Sequence, residues 1–272
     1  MIIRIFRICA IALIINFICG CKNKSVNYDS TKASIPVIDY KYIRSYPHDT
    51  TSFTEGLLMH DNKLYESTGA LEELPYTKSL FGSVDLTTGK IDVKVELDRV
   101  KFFGEGITFL KGKVYQLTYK KKVGFVYDAT TFKKLKEFIL SSKEGWGLTT
   151  DGTNLIMSDG TYILRYLDPE TLQVVKTVTV TEDGCVKDNL NELEYINGYI
   201  FANIWTTNTI VKIDPKDGKV IGLLDLKDLS SEANYLYPNS LEMNGIAYDS
   251  ISNKIYVTGK LWPKIYELEL YN

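Results

Sequence analysis

The sequence predicts an all-β fold, a five-bladed β-propeller whose ring is closed by the N-terminal strand. Three observations predict it. One hairpin signature recurs five times, a second hairpin signature follows it in most units, and the last unit lacks a strand while a spare strand precedes the first. Nineteen tyrosines and eleven phenylalanines also favour strands over helices.

The recurring element is a short β run just after a turn. The runs are Leu64-Tyr65-Glu66, Val114-Tyr115-Gln116, Leu155-Ile156-Met157, Ile200-Phe201-Ala202 and Ile255-Tyr256-Val257. The turns before them are Asp61-Asn62, Lys111-Gly112, Asp151-Gly152, Asn197-Gly198 and Ser252-Asn253. Each turn follows an apolar run such as Gly56-Leu57-Leu58, so each unit opens as a hairpin. A second turn closes most units, as in Val84-Asp85-Leu86-Thr87-Thr88-Gly89, Tyr127-Asp128-Ala129-Thr130-Thr131, Leu167-Asp168-Pro169-Glu170-Thr171 and Ile213-Asp214-Pro215-Lys216-Asp217-Gly218. Four strands per unit at a period of about 40 to 55 residues is the mark of propeller blades.

The fifth unit stops at Tyr266-Glu267-Leu268-Glu269-Leu270, one strand short, and Tyr40 to Tyr46 supplies a strand ahead of the first unit. Pairing the two closes the ring and removes an exposed edge. An open sandwich is the alternative that leaves them unpaired.

Aligned on their hairpins, the units place two rings of residues on one face. Glu55, Glu105, Trp146 and Asn191 each lie nine residues before the aligned hydrophobe, and Asn244 lies eleven before it. Glycine follows four of these five, and Glu192 follows Asn191. In a propeller the first strand of a blade lines the central channel, so these five should ring one mouth, where glycine lets backbones crowd the axis. Five residues beyond each hydrophobe stand Gly69, Tyr119, Gly160, Trp205 and Lys260, a second ring around the first. Phe53 and Phe103 each lie two residues before a ring glutamate and add apolar wall. Trp262, just past Lys260, is expected to pack within a blade.

The ends and the composition bound the rest. Arg4 and Arg7, the apolar run Ile8 to Ile18 and Ile18-Cys19-Gly20-Cys21 make residues 1–20 a targeting segment too short for an ordinary membrane span. The segment resembles a bacterial lipobox, which would lipidate Cys21 and tether the chain to the cell envelope, on the periplasmic side of a membrane or at the cell surface. Residues 21–35 then form a linker and 36–272 the propeller. The membrane is met through the lipid alone. Once the signal is removed only Cys185 is left besides the lipidated Cys21, so no internal disulfide is expected. With only two histidines, a multi-histidine zinc site is not expected. Net charge is −2 and basic residues are dispersed, which argues against a nucleic-acid partner. A monomer is expected.

The residue types at the mouth narrow the chemistry. There is no Ser-His-Asp set and no phosphate-cradling glycine loop. A glutamate between aromatic walls is desolvated, which raises its pKa and suits proton shuttling. Asn191 and Lys260 are placed to hold or polarise a carbonyl. Glu55, Glu105, Asn191 and Asn244 would equally converge on one Ca²⁺, as in propeller lactonases, although two tryptophans and a lysine argue against a cation. A non-catalytic peptide-binding propeller is the third reading.

Seven motifs in order resemble a known family. They are Phe53-Thr54-Glu55-Gly56-Leu57, Phe103-Gly104-Glu105-Gly106-Ile107-Thr108, the run Glu144-Gly145-Trp146-Gly147-Leu148 to Gly152, Leu190-Asn191-Glu192-Leu193-Glu194-Tyr195, Asn203-Ile204-Trp205, Asn244-Gly245-Ile246-Ala247-Tyr248 and Thr258-Gly259-Lys260-Leu261-Trp262-Pro263. The resemblance is to the glutamine cyclotransferases of plants and bacteria, over about Tyr46 to Leu270. It implies a five-bladed propeller that closes the N-terminal glutamine of peptides or proteins into pyroglutamate and releases ammonia, with no cofactor or catalytic metal. Glu105 matches the family's catalytic acid/base. Phe53, Glu55, Phe103, Trp146, Asn191, Trp205 and Lys260 match its substrate pocket, and Tyr119 and Asn244 join them from the two rings. The family has Gln or Glu at Glu55 and usually Trp at Tyr119, a departure that bears on one pocket wall.

Overall fold

The structure, a computed structural model, describes residues 35–119 and 121–271. The expected signal segment and Cys21 lie outside the described residues. The described propeller unit begins at Ile35.

Strand β1 (Tyr40–Pro47) comes first. Blade 1 is β2 (Thr54–His60), β3 (Lys63–Thr68), β4 (Leu80–Val84) and β5 (Ile91–Glu96). Blade 2 is β6 (Gly104–Leu110), β7 (Lys113–Thr118), β8 (Val123–Asp128) and β9 (Lys134–Ile139). Blade 3 is β10 (Leu148–Thr150), β11 (Leu155–Met157), β12 (Ile163–Leu167) and β13 (Val174–Thr179). A small hairpin, β14 (Thr181–Glu182) and β15 (Cys185–Val186), leads to blade 4. Blade 4 is β16 (Leu190–Ile196), β17 (Tyr199–Ile204), β18 (Thr209–Ile213) and β19 (Val220–Asp225). After helix α1 (Lys227–Leu236), blade 5 runs β20 (Met243–Asp249), β21 (Lys254–Gly259) and β22 (Lys264–Leu270).

Each blade is a four-stranded antiparallel sheet in sequence order, and β1 completes the fifth beside β22. The pairing runs from Tyr40 opposite Leu270 to Pro47 opposite Lys264, so the ring closes and the sandwich alternative falls.

Turn chemistry explains the repeat. The inner turns carry positive φ at Asp61 and Asn62, at Lys111 and Gly112, and at Asn197 and Gly198, the backbone that a tight hairpin demands. The outer turns share an Asx geometry. The Asp85, Asp128 and Asp168 carboxylates each accept a backbone N–H two residues on, and each also accepts a threonine hydroxyl.

Adjacent blades bury apolar faces against each other. Tyr65 and Phe81 meet Val114 and Phe125 between blades 1 and 2, and Tyr115 and Leu117 meet Leu155 and Met157 between blades 2 and 3. Trp262 is wholly buried inside blade 5, where its indole N–H donates to Leu241 O at 2.9 Å, as expected of a packing residue. At the axis, the buried Glu192 carboxylate accepts the Leu57 N–H of blade 1 at 3.3 Å and the Ile246 N–H of blade 5 at 2.8 Å. This carboxylate staples three inner strands.

Helix α1 was not expected from the composition. It forms because Leu229 and Ala233, four apart on one face, bury against the cluster holding Trp262 and Tyr266.

Candidate active site

Backbone irregularities aim the first ring. In four of the five inner hairpins the strand register slips at the ring residue: between Thr54 and Gly56, Gly104 and Ile107, Leu190 and Leu193, and Met243 and Ile246. A bulge turns a side chain out of the strand's alternation. So Glu55, Glu105, Asn191 and Asn244 leave their sheets' alternation at one mouth. Blade 3 solves the same problem without a bulge. Trp146 precedes β10, its N–H donating to Ser158 O and its carbonyl accepting the Gly106 N–H of blade 2. A Cβ on Gly106 would lie 2.5 Å from Leu148 N, so only glycine permits this approach.

These elements enclose a cavity of about 380 Å³. Its lining includes Phe53, Glu55, Phe103, Glu105, Tyr119, Trp146, Asn191, Trp205 and Lys260. All but one of the expected substrate-binding residues therefore meet in one space, with Glu105. Asn244 is the exception. It is wholly buried behind Glu55, its amide donating to Glu55 Oε2 at 2.9 Å and to Thr54 O at 3.0 Å. Asn244 orients a pocket carboxylate and does not line the cavity.

The charges form a tight group. Lys260 Nζ lies 3.0 Å from Glu55 Oε1 and 4.6 Å from the centre of the Phe53 ring. Burial raises the Glu55 pKa to about 7, against the lowering pull of Lys260 and Asn244. Burial opposes charge on Lys260, yet Glu55 and Glu105 raise its pKa overall. Glu105 is 4 % exposed, and no described residue hydrogen-bonds to its carboxyl. Burial first, and the Glu55 charge second, hold its pKa well above the usual carboxylate range. A cation would find this donor set ill suited, because an ammonium already pairs with Glu55 and the amide nitrogen of Asn244 faces the other oxygen.

Aromatic rings build the walls. Phe53 meets Phe103 edge to face at 5.8 Å, and Phe103 meets Tyr119 at 6.0 Å. Trp146 and Trp205 meet edge to face at 5.6 Å across the opposite side. The Asn191 Oδ1 atom is buried without a hydrogen-bond partner among the described residues. Asn191 thus offers an acceptor for an N–H, while Lys260 remains the donor able to polarise a carbonyl.

One site residue, Glu144, escaped sequence reasoning. Glu144 accepts the Trp146 indole N–H at 3.0 Å, and its charge raises the Tyr119 pKa. Ala70, Leu71, Glu72 and Glu73 form a lip on the loop after β3. The Arg99 guanidinium pins that loop, donating to Leu71 O and Pro75 O. The ring alignment misses Glu144 because it falls on no aligned offset, whereas the loop with Glu72 and Glu73 is legible from the sequence as a connection between strands beside the mouth.

Comparisons with known proteins point to one family. The model of the family described as glutamine cyclotransferase matches residues 12–270. A glutaminyl-peptide cyclotransferase of Arabidopsis thaliana is 41 % identical over 234 residues, covering 85 % of this chain and 71 % of that protein. The crystal structure of Myxococcus xanthus glutaminyl cyclase superposes with a TM-score of 0.78 at 32 % identity, covering 86 % of this chain and 98 % of that one.

Proposed function

Because the chain belongs to the glutamine cyclotransferase family and is a glutaminyl-peptide cyclotransferase, we propose that the mouth pocket carries the cyclisation and that Glu105 moves its proton. The observation that supports this most is the Glu105 carboxyl, buried among aromatics and without a hydrogen bond from any described residue, next to the Glu55–Lys260 pair.

The substrate's α-amine nitrogen attacks the side-chain amide carbon of the same glutamine. A C–N bond forms, the carbonyl π pair moves to oxygen, and Lys260 stabilises the developing charge. Glu105 accepts the proton that the attacking nitrogen sheds and delivers it to the leaving nitrogen. Ammonia departs as the carbonyl re-forms, leaving a five-membered lactam. Holding the side chain folded against its own amine is an orientation problem, which the aromatic slot addresses. The Asn191 Oδ1 accepts an N–H of the bound glutamine.

A mass assay tests this reading. A Gln-initiated peptide should lose ammonia and become blocked, and its N-acetylated counterpart should stay intact because the amine is the nucleophile. Ammonia release from the acetylated peptide would point to hydrolysis instead.

Tyr119 stands where the family usually has Trp, and it is 41 % exposed at the rim. Replacing it with Trp extends the wall but leaves the proton path alone. An added aromatic contact contributes about 0.5–1.5 kcal/mol, so Tyr119→Trp should lower KM by about two- to tenfold. Steady-state kinetics should find kcat less affected than KM.

The chain's place is proposed from its leader. Lipid on Cys21 would hold the propeller at the cell envelope, as a monomer tethered by residues 22–35. Cys21→Ser should move the protein from the membrane pellet to the soluble fraction and abolish labelling by a fatty-acid probe. Unchanged pelleting and labelling would exclude the anchor.

A further inference from the structure

Trp146 is held from several sides, and one of its contacts has no role in the mechanism above. Beneath the indole lies Gly160, where a Cβ would come 2.7 Å from the six-membered ring. At its edge stands Trp205, 5.6 Å between ring centres. Its backbone is tied to blades 2 and 3 through the Gly106 N–H and Ser158 O. Packing and backbone alone leave the torsion about the Cβ–ring bond loosely set, because such sp³–sp² torsions have broad, roughly two-fold wells. The indole N–H breaks that symmetry, since only one edge of the ring carries a donor. Glu144 receives it, with Oε2 3.0 Å from Nε1. Glu144 is itself anchored, its carbonyl accepting the Ser142 hydroxyl at 2.5 Å. A two-residue reach, Glu144-Gly145-Trp146, thus closes on itself at the pocket wall.

We propose that Glu144 is a positioning residue for the cyclisation: by accepting the indole N–H it fixes which face of Trp146 closes the slot, and so keeps the glutamine side chain folded toward its own amine. The proposal rests on the reading that this pocket is where cyclisation occurs. Glu144 does not handle the travelling proton. Its charge is a lesser cause of the raised Glu105 pKa, behind burial and Glu55. The positioning role passes instead through the ring it holds, so it falls on the geometry of the bound substrate.

The test uses the full chain and a Gln-initiated dipeptide, with thermal melts to follow the fold. Glu144→Ala should lower kcat by about tenfold to a hundredfold, the scale of a misplaced substrate, with a smaller change in KM. Glu144→Gln should recover most of the turnover, since its amide oxygen accepts the same N–H. Trp146→Phe, which has no N–H, should lose kcat comparably. Adding Glu144→Ala to Trp146→Phe should then cost little more. Equal losses in the Gln and Ala variants would overturn the proposal, since charge would then matter and the hydrogen bond would not. Independent losses in the double variant would also overturn it. If Glu144→Ala fails to fold, the same comparison runs with Glu144→Gln and Trp146→Phe: kcat collapse in Gln with retention in Phe contradicts the proposal, and the reverse supports it. None of these outcomes bears on whether the pocket cyclises glutamine, because the Glu105 variant decides that separately.

Discussion

Glu105→Gln is expected to lose pyroglutamate formation by a factor of roughly 10² to 10⁴, the range for removing a positioned acid–base group. The amide is isosteric with the carboxyl and fits the same slot between the aromatic walls. It cannot accept the proton from the attacking amine, so the step stalls with the substrate in place. KM should change little, and the fold should survive. Survival follows because the Glu105 carboxyl makes no hydrogen bond with a described residue, so its replacement breaks none. Removing a buried titratable group whose pKa is raised also spares the protein a desolvation cost at neutral pH. A melting temperature at or above wild type, with activity gone, is the expected pair of results. Activity near wild type in this variant would remove Glu105 from the mechanism.

The largest expected effect on stability lies at the seam that closes the ring. His48 follows β1, and both of its ring nitrogens face acceptors: Nδ1 is 2.7 Å from Trp262 O, and Nε2 is 3.0 Å from Glu66 Oε1. The Thr54 hydroxyl donates to the same Glu66 oxygen at 2.7 Å. The His48 N–H donates to Pro263 O at 3.0 Å. This one residue therefore ties the closing strand to blade 1 through Glu66 and to blade 5 through Trp262 and Pro263. Both side chains of the pair are wholly buried. His48→Ala leaves the Glu66 carboxylate without its charge partner. Breaking a buried pair in this way costs about 3–5 kcal/mol. At about 2–4 °C per kcal/mol for a domain of this size, the melting temperature should fall by on the order of 10 °C. Burial opposes charge on His48, but Glu66 and the Trp262 carbonyl outweigh it and raise its pKa above 6.5. A raised folded-state pKa means the stabilisation is full below the unfolded value and fades as pH rises through the folded one. Wild-type melting temperature should therefore drop on the alkaline side, and the gap between wild type and His48→Ala should narrow there. A variant that melts with wild type at pH 6 would show that the ring closes without this pair.

Much of this was legible in the sequence, for a physical reason. Hairpin turns demand particular residues, so Asp61-Asn62 and Asn197-Gly198 mark strand pairs that periodicity then aligns. That alignment placed Glu55, Glu105, Trp146 and Asn191 at one mouth without a structure, and the spare strand from Tyr40 to Tyr46 announced the closure. The limits came where side-chain direction matters. Asn244 joins the ring in the alignment at an offset of eleven instead of nine, yet its amide turns behind Glu55, and no spacing rule reports that turn. Glu144 sits off the aligned positions because it acts on a neighbour's ring. Helix α1 depends on burial against Trp262 and Tyr266, contacts that form only once blade 5 is assembled. Between the two ring glutamates, position alone left proton transfer and cation binding equally open. The Lys260 ammonium 3.0 Å from Glu55 is what separates the two residues' surroundings.

The most direct test of the account follows ammonia and pyroglutamate together as the EDTA-treated protein acts on a Gln-initiated dipeptide. Proton transfer by Glu105 predicts equal amounts of the two products at the untreated rate. Turnover lost to EDTA and restored by calcium would contradict it.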